Sequence, residues 1–292
     1  MDVNLEWYRV FYWIAKTGSL TGAAARLHIT QPAVSHTVKQ MEDRLGGALF
    51  FRTPKGVQLT TEGEVLLRHI EQAFIHIQLG EKSISEMHQL NSGEIHIGAS
   101  DTLCKYYLLH YLERFHEQHP GIRIHITNRT TPETLKLLKE GKIDFGIVSL
   151  PVPDKQIDFR KSSTVQDCLV GGKDYSHLAG EPFPLDRISQ YPLLILEPGG
   201  STRLYIEEYL SSHNQTITPE FELGSIDLLV QFALRGFGLA FVIRDFIHDE
   251  LASGDLIEIP LDPPLQGRHI EIATLRGVPL SAASKSFLSL LP

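Results

Sequence analysis

Apolar residues recur at helical spacing through the first part of the chain. Leu5, Val10, Phe11 and Ile14 share one side of a segment that runs to Thr17, and Gly18 ends it. Ser19 is a good N-cap for a second helix, Leu20 to Leu27, whose three consecutive alanines at 23–25 let another helix come close. Thr30 opens a third helix, with Pro32 in the tolerated first turn. That helix runs to about Leu45 and places Val34, Val38, Met41 and Leu45 in one apolar stripe, leaving Gln31, Ser35, His36 and Lys39 to the other faces. Thr61-x-x-Glu64 has the form of a capping box. Behind it Leu66, Ile70, Ala73, Ile77, Gly80, Ile84 and Met87 alternate spacings of four and three, a heptad seam with a weak point at Gly80. Such a seam suits pairing between two subunits; the other reading is a helix packed on its own domain.

From Glu94 the period changes. Strand-like segments at Glu94–Gly98, Ile122–Ile126 and Ile143–Val148 alternate with helical ones, the first around Tyr107, Leu108, Tyr111, Leu112 and Phe115. The alternation resumes through Cys168–Gly171, Leu193–Leu196, Phe221–Leu223, Leu239–Val242, Leu256–Leu261 and Ile270–Thr274, before an amphipathic tail from Leu280. Strands alternating with helices predict parallel βαβ units, and two such sets predict two α/β lobes with a cleft between them.

Composition supports this partition. The chain has 292 residues, 42% hydrophobic and 21% charged, which suits two or three globular domains. No stretch approaches the ~20 apolar residues of a membrane span, and Glu6 and Arg9 interrupt the apolar N-terminal segment, so a cytoplasmic location is expected. Cys104 and Cys168 match no metal or redox spacing and are expected as reduced thiols. The net charge of −8 at first argues against a nucleic-acid partner. Its distribution argues the opposite: Met1 to Gln58 holds seven Lys/Arg against four Asp/Glu, and everything after is net acidic.

Two short helices joined by a tight turn, the second displaying polar side chains, form a DNA-reading unit. A helix N-terminus attracts phosphate, Ser35 can donate to one, and Gln31 can pair with adenine in the major groove. A three-helix bundle with no DNA partner has the same pattern. The run Thr17-Gly-Ser-Leu-Thr-Gly-Ala-Ala-Ala-Arg-Leu-His-Ile-Thr-Gln-Pro-Ala-Val-Ser35, followed by Val38-Lys-Gln-Met-Glu42, goes further and closely resembles the LysR-type winged helix-turn-helix. The segment Leu45-Gly-Gly-Ala-Leu-Phe-Phe-Arg-Thr-Pro-Lys-Gly-Val-Gln-Leu-Thr-Thr-Glu-Gly63 resembles that family's wing and its entry into the linker helix.

The resemblance implies a DNA-contacting set of Ser19, Thr30, Gln31, Pro32, Ser35, His36 and Lys39, with Arg52 and Lys55 on the wing. The chain departs from the family at His36, where Arg is common. An imidazole lacks the fixed charge and fork of a guanidinium, which changes base preference or affinity there.

By the same resemblance the fold is a multidomain α+β one. A winged helix-turn-helix spans 1–58 and a linker helix 59–90. A two-lobed effector-binding domain, similar to periplasmic solute-binding proteins, spans 91–292. Lobe I covers about 91–161 and 268–292, and lobe II about 162–267. Effector contacts are expected where strands give way to helices: Ser100, Thr102, Ser149, Ser201, Thr202 and Arg203. Ser and Thr at such places also serve simply as caps, and Glu207 or Glu208 could neutralise Arg203.

The seam residues Leu66, Ile70, Ala73, Ile77, Ile84 and Met87 would pair in a homodimer, which the family assembles further into a dimer of dimers. The expected function is sequence-specific regulation of transcription. Two heads would read an interrupted palindrome in double-stranded DNA, an anionic small molecule would alter their spacing, and RNA polymerase would be a further partner. A ligand-independent regulator, a solute-binding protein and an enzyme are the alternatives. No catalytic motif, cofactor fingerprint or metal-ligand spacing is visible; His116 and His119 form a pair without a third ligand nearby.

Overall fold

The computed structural model describes residues 4–53, 56–87, 93–149, 153–216 and 218–292. The chain divides into two compact units, Met1–Glu81 and Lys82–Pro292.

The first unit contains α1 (Leu5–Thr17), α2 (Leu20–Leu27), α3 (Gln31–Leu45), the strands β1 (Phe50–Thr53) and β2 (Gly56–Leu59), and most of α4 (Thr61–Met87). Gly18 adopts a left-handed φ of 62° and closes α1, as its lack of a Cβ permits. Ser19 caps α2 by accepting the Gly22 N–H at 3.2 Å. Thr30 precedes α3 without a side-chain cap bond, because Pro32 removes one of the N–H groups such a cap would bind. Val10, Ile14, Ala23, Ala24, Leu27, Val34 and Val38 form one core, and Phe11, Met41 and Leu49 another. Leu5 and Leu45, expected in these stripes, are 58% and 48% exposed. Each is a terminal helical residue, outside the turns that the neighbouring helices cover.

β1 and β2 pair as an antiparallel hairpin in which Arg52 lies opposite Val57. The start of α4 differs from the expected capping box by one residue. Thr60 does the capping: its hydroxyl donates to the Ala48 carbonyl at 2.8 Å and accepts the Gly63 N–H at 3.0 Å. The buried Gly63 faces the Leu49 carbonyl so closely that a Cβ would fall on it and would meet Leu59 Cδ2 at 2.9 Å. Gly63→Ala is therefore expected to destabilise the head by about 1–3 kcal/mol, seen as an earlier thermal transition. An unchanged melt would mean that α4 shifts freely from the hairpin.

The heptad seam splits in two. Leu66 and Ile70, both half-buried, pack against the head's second core beside Phe11, Met41 and Leu49, the contact that the own-domain reading expects. Phe74 continues that contact edge-on to Tyr12, with ring centroids 5.3 Å apart, and Glu71 pairs with Lys16 at 2.6 Å. Ala73, Ile77 and Ile84 stay exposed, Ile84 by 61%. The Met87 side chain lies outside the described residues.

The second unit opens with β3 (Gly93–Ala99), α5 (Asp101–Leu103), a π-helical turn (Cys104–Leu108) and α6 (Leu109–Gln118), the last three continuous. Next come β4 (Ile122–Asn128), α7 (Thr131–Lys139), β5 (Phe145–Ser149), β6 (Ile157–Val165), β7 (Asp167–Gly172), β8 (Phe183–Pro184) and β9 (Leu193–Leu196). The chain finishes with α8 (Ser201–Ser212), β10 (Phe221–Leu223), α9 (Ile226–Leu234), β11 (Leu239–Ile243), α10 (His248–Ser253), β12 (Leu256–Ile259), β13 (Leu261–Asp262), β14 (Arg268–Leu275) and α11 (Ala282–Leu288). Two five-stranded sheets result, ordered β4-β3-β5-β14-β6 and β10-β9-β11-β7-β12.

The sheets are mixed and not wholly parallel. β3 runs parallel to β4 and β5, but β14 is antiparallel to β5 and β6, and β7 is antiparallel to β11 and β12. β6 leads into β7, and β14 returns, without a crossover helix of the kind a parallel neighbour requires. β6 stays in the first sheet to Val165, so the first crossing comes at Gln166 and not near 162. There Gln166 Nε2 donates to the Leu265 carbonyl at 2.9 Å, joining the outgoing strand to the returning one. The tail helix packs back on the first sheet, where Phe287 meets Phe115 and Phe145. On the opposite face α7 comes close because Gly98 and Gly146 leave room for Thr134 Cγ2. Among the described residues no helix is long and apolar enough to cross a membrane.

Candidate functional site

The polar face of α3 stands away from the head's core by simple periodicity. Val34, Val38 and Met41 are buried inward, so Gln31, Pro32, His36 and Lys39 are exposed on the remaining faces and Ser35 is half-buried. Thr30, just before the helix, is also exposed. Ser19 is half-buried and occupied in capping α2. Arg52 lies on β1, though its side chain, like all of Lys55, falls outside the described residues. The exposed set therefore gathers on and before the first turns of one helix, where backbone N–H groups carry partial positive charge.

In the second unit a cavity of about 210 Å³ opens where the two sheets' strand ends meet. Four helical segments begin at its wall. Ser100 precedes α5, Thr130 precedes α7, Gly200 precedes α8 and Ser225 precedes α9, and all four line the cavity. Strands ending at one edge of each sheet pass straight into these helices, so their N–H ends converge on a single space.

Five of the six expected effector residues line this cavity: Ser100, Thr102, Ser149, Ser201 and Thr202. The capping reading also holds for Ser100, whose hydroxyl accepts the Leu103 N–H at 3.3 Å. Accepting a bond leaves that hydroxyl its hydrogen to donate. Ser225 caps α9 in the same way, through the Leu228 N–H.

Arg203 is the correction. It is buried and does not line the cavity. Its Nε donates to Glu207 at 2.6 Å, and one terminal nitrogen donates to Glu222 at 2.8 Å and to the Leu196 carbonyl at 2.6 Å. Burial disfavours the guanidinium charge, but Glu222 and Glu207 more than offset it and raise the pKa. Arg203 thus anchors α8 to β9 and β10.

Of the two arginines that line the cavity, Arg129 and Arg268, the buried one is Arg268, which residue pattern alone does not single out. Its Nε and a terminal nitrogen form a fork onto Asp167 at 2.5 and 2.9 Å, and its other terminal nitrogen donates to the Ser149 hydroxyl. The two side chains of this ion pair are 3% and 1% exposed. A visible clue was its place one residue after Gly267, at the start of the strand returning to the first lobe. Asn128, Arg129 and Thr131, at the end of β4 and the start of α7, complete that side of the wall. Cys104 and Cys168 are free thiols, and burial pushes both up, so neither is poised as a thiolate.

Comparison with known proteins matches this division of the chain. Residues 5–64 fit the family of bacterial regulatory helix-turn-helix proteins, lysR family, and residues 88–292 fit the LysR substrate binding domain. The HTH-type transcriptional regulator CfxR of Cupriavidus necator is 28% identical over 284 residues, covering 97% of this chain and 89% of its own. Among solved structures, a full-length OxyR from Pseudomonas aeruginosa superposes with a TM-score of 0.64 at 22% identity, covering 99% of this chain and 94% of its own. The regulatory domain of CcmR from Synechocystis PCC6803, in complex with 2-PG, gives 0.63 at 22% identity over 68% of this chain and 95% of its own. One family model accounts for the helix-turn-helix head and the other for most of the chain behind it, and the chain belongs to the LysR family of DNA-binding transcriptional regulators with an effector-binding domain.

Proposed function

We propose that this regulator binds a compact anionic metabolite in the cavity of its second unit and that occupancy sets its binding to a two-fold symmetric promoter site. The observation that carries the reading is the convergence of four helix starts and their hydroxyls on one space. Oriented N–H groups and hydroxyl donors favour a carboxylate or phosphate. The charged side chains at the wall do not decide the sign: Arg129 shares the lining with Asp101 and Glu197, and Arg268 is already matched by Asp167. The volume, about 210 Å³, lies below the ~300–1,000 Å³ of sites for drug-sized ligands and suits a molecule of a few carbons. The 2-PG held by the CcmR regulatory domain supports the same class.

In this reading Gln31, Pro32, Ser35, His36 and Lys39 face the major groove, with Ser19, Thr30 and the wing residues Arg52 and Lys55 at the backbone. The exposed Ala73, Ile77 and Ile84 join two α4 helices, so that a cytoplasmic homodimer, or a dimer of dimers, presents two heads to two half-sites. A change in the cavity alters head spacing and DNA bend, and through them contact with RNA polymerase. The protein acts by binding, without catalysis.

The test is capture and sequencing of genomic fragments by the purified protein at fixed salt, with and without a panel of small carboxylates and phosphates. Enrichment of a few promoters sharing a two-fold site, shifted by one of the anions, is expected. The Thr102→Ala, Ser201→Ala double variant is expected to enrich the same promoters while its response to that anion falls by about tenfold or more, two lost hydrogen bonds at about 1 kcal/mol each. Enrichment that no anion shifts would favour the ligand-independent alternative.

A further inference from the structure

We propose that Glu94, His96 and His125 form a binding site for a divalent transition-metal ion of the Zn²⁺ class, clasping the edge strand β4 to β3. The expectation drawn from residue spacing was of no metal site, because these residues lie on two separate strands and share no local motif. Strand register changes that. β3 and β4 run parallel with Glu94 opposite Arg123 and His96 opposite His125, so all four side chains leave the same face of the sheet.

Three ligand atoms meet there. Glu94 Oε2 lies 3.6 Å from His96 Nε2 and 3.9 Å from His125 Nε2, and the donor atoms of all three residues fall within 4.8 Å of one another. The two imidazoles are stacked, with centroids 4.7 Å apart and planes 8° from parallel. Ligands held at ~2.0–2.1 Å around a tetrahedral ion stand roughly 3.3 Å apart. Small side-chain rotations, with no backbone movement, would bring the three onto one ion.

The surroundings support the arrangement. His96 is held in place through its backbone: its N–H donates to the Asp144 carboxylate at 2.7 Å, and its carbonyl accepts the Asp144 N–H at 2.7 Å. Arg123 reaches the other carboxylate oxygen of Glu94, Oε1, at 3.3 Å, which leaves Oε2 directed at the histidines. The Arg123 side chain is 79% exposed, so solvent screens its repulsion of a cation. Two imidazoles and a carboxylate suit Zn²⁺, with the solvent side open to water as the remaining ligand. The site lies away from the cavity and its occupancy does not depend on the effector reading.

The experiment is calorimetric titration of ZnCl₂ into untagged, chelator-treated full-length protein, alongside the His96→Gln, His125→Gln double variant. Fourteen histidines provide weak background sites, so the difference between the two proteins is what counts. Wild type is expected to take up one more equivalent than the double variant and to show a Zn²⁺-dependent rise in thermal midpoint that the variant lacks. Glu94→Gln keeps the volume and loses the charged ligand, and is expected to bind at least about tenfold more weakly. It decides the matter if the double variant does not fold. Equal stoichiometry and equal thermal shifts in wild type and whichever variants fold would overturn the proposal.

Discussion

Arg268→Ala is expected to destabilise the Lys82–Pro292 unit by about 3–5 kcal/mol, a fall in thermal midpoint on the order of 10 °C for a unit of this size. The guanidinium sits where the chain returns from the second lobe, and its partner Asp167 sits just after the chain first leaves the first lobe. Truncation leaves a carboxylate that is 1% exposed with no cation and strips the Ser149 hydroxyl of its donor. Losing half of a buried pair costs more than the pair contributes, because the remaining charge stays desolvated. The double variant Arg268→Met, Asp167→Leu is therefore expected to recover most of the loss, as removing both charges also removes the penalty. Arg268→Lys is expected to fall between, since an ammonium cannot make the fork and reach Ser149 at once. Denaturant unfolding of the four full-length proteins checks this. A single-variant loss below about 1 kcal/mol would mean that water reaches Asp167 and that the pair is no anchor for the two crossings.

On the head, Gln31→Ala is expected to weaken binding to the preferred promoter site by about 1–3 kcal/mol, a factor of roughly 5 to 150. Gln31 is exposed in the first turn of α3, where a side-chain amide can offer a donor and an acceptor together to one base. The loss should be confined to specific sequence. Binding to random DNA and the dependence on salt should be unchanged, because glutamine neutralises no phosphate. Lys39→Ala should behave in the opposite way, weakening all sequences together and lowering the salt slope by about one unit. Fluorescence titrations against specific and scrambled duplexes at several salt concentrations separate the two outcomes. Equal losses of Gln31→Ala on both duplexes would remove Gln31 from base contact.

The features readable along the chain are those set by local spacing. Gly18, Ser19 and the stripe Val34, Val38 and Met41 placed three helices correctly, because a cap, a turn and a 3.6-residue period act within a few neighbours. The family resemblance and the strand-to-helix junctions likewise pointed to Ser100, Thr102, Ser149, Ser201 and Thr202, and these meet at one cavity. For the helices, and for each strand-to-helix junction by itself, the determining interaction is short in sequence; the meeting of the junctions at one cavity is the work of the sheets.

Other features depended on partners distant in sequence. Arg203 and Arg268 look alike in the chain; Glu207 and Glu222 hold the first away from the cavity, while Asp167 and Ser149 hold the second at its wall. Thr60 displaced Thr61 as the cap because the Ala48 carbonyl lies within its reach. The continuous seam of α4 divided because the head's core needed Leu66 and Ile70, leaving Ala73, Ile77 and Ile84 outside. Glu94, His96 and His125 became neighbours only through the register of β3 on β4. Periodicity states which face of an element a residue occupies, and packing alone settles which other element covers that face, because desolvation and charge pairing are decided by atoms brought from elsewhere in the chain.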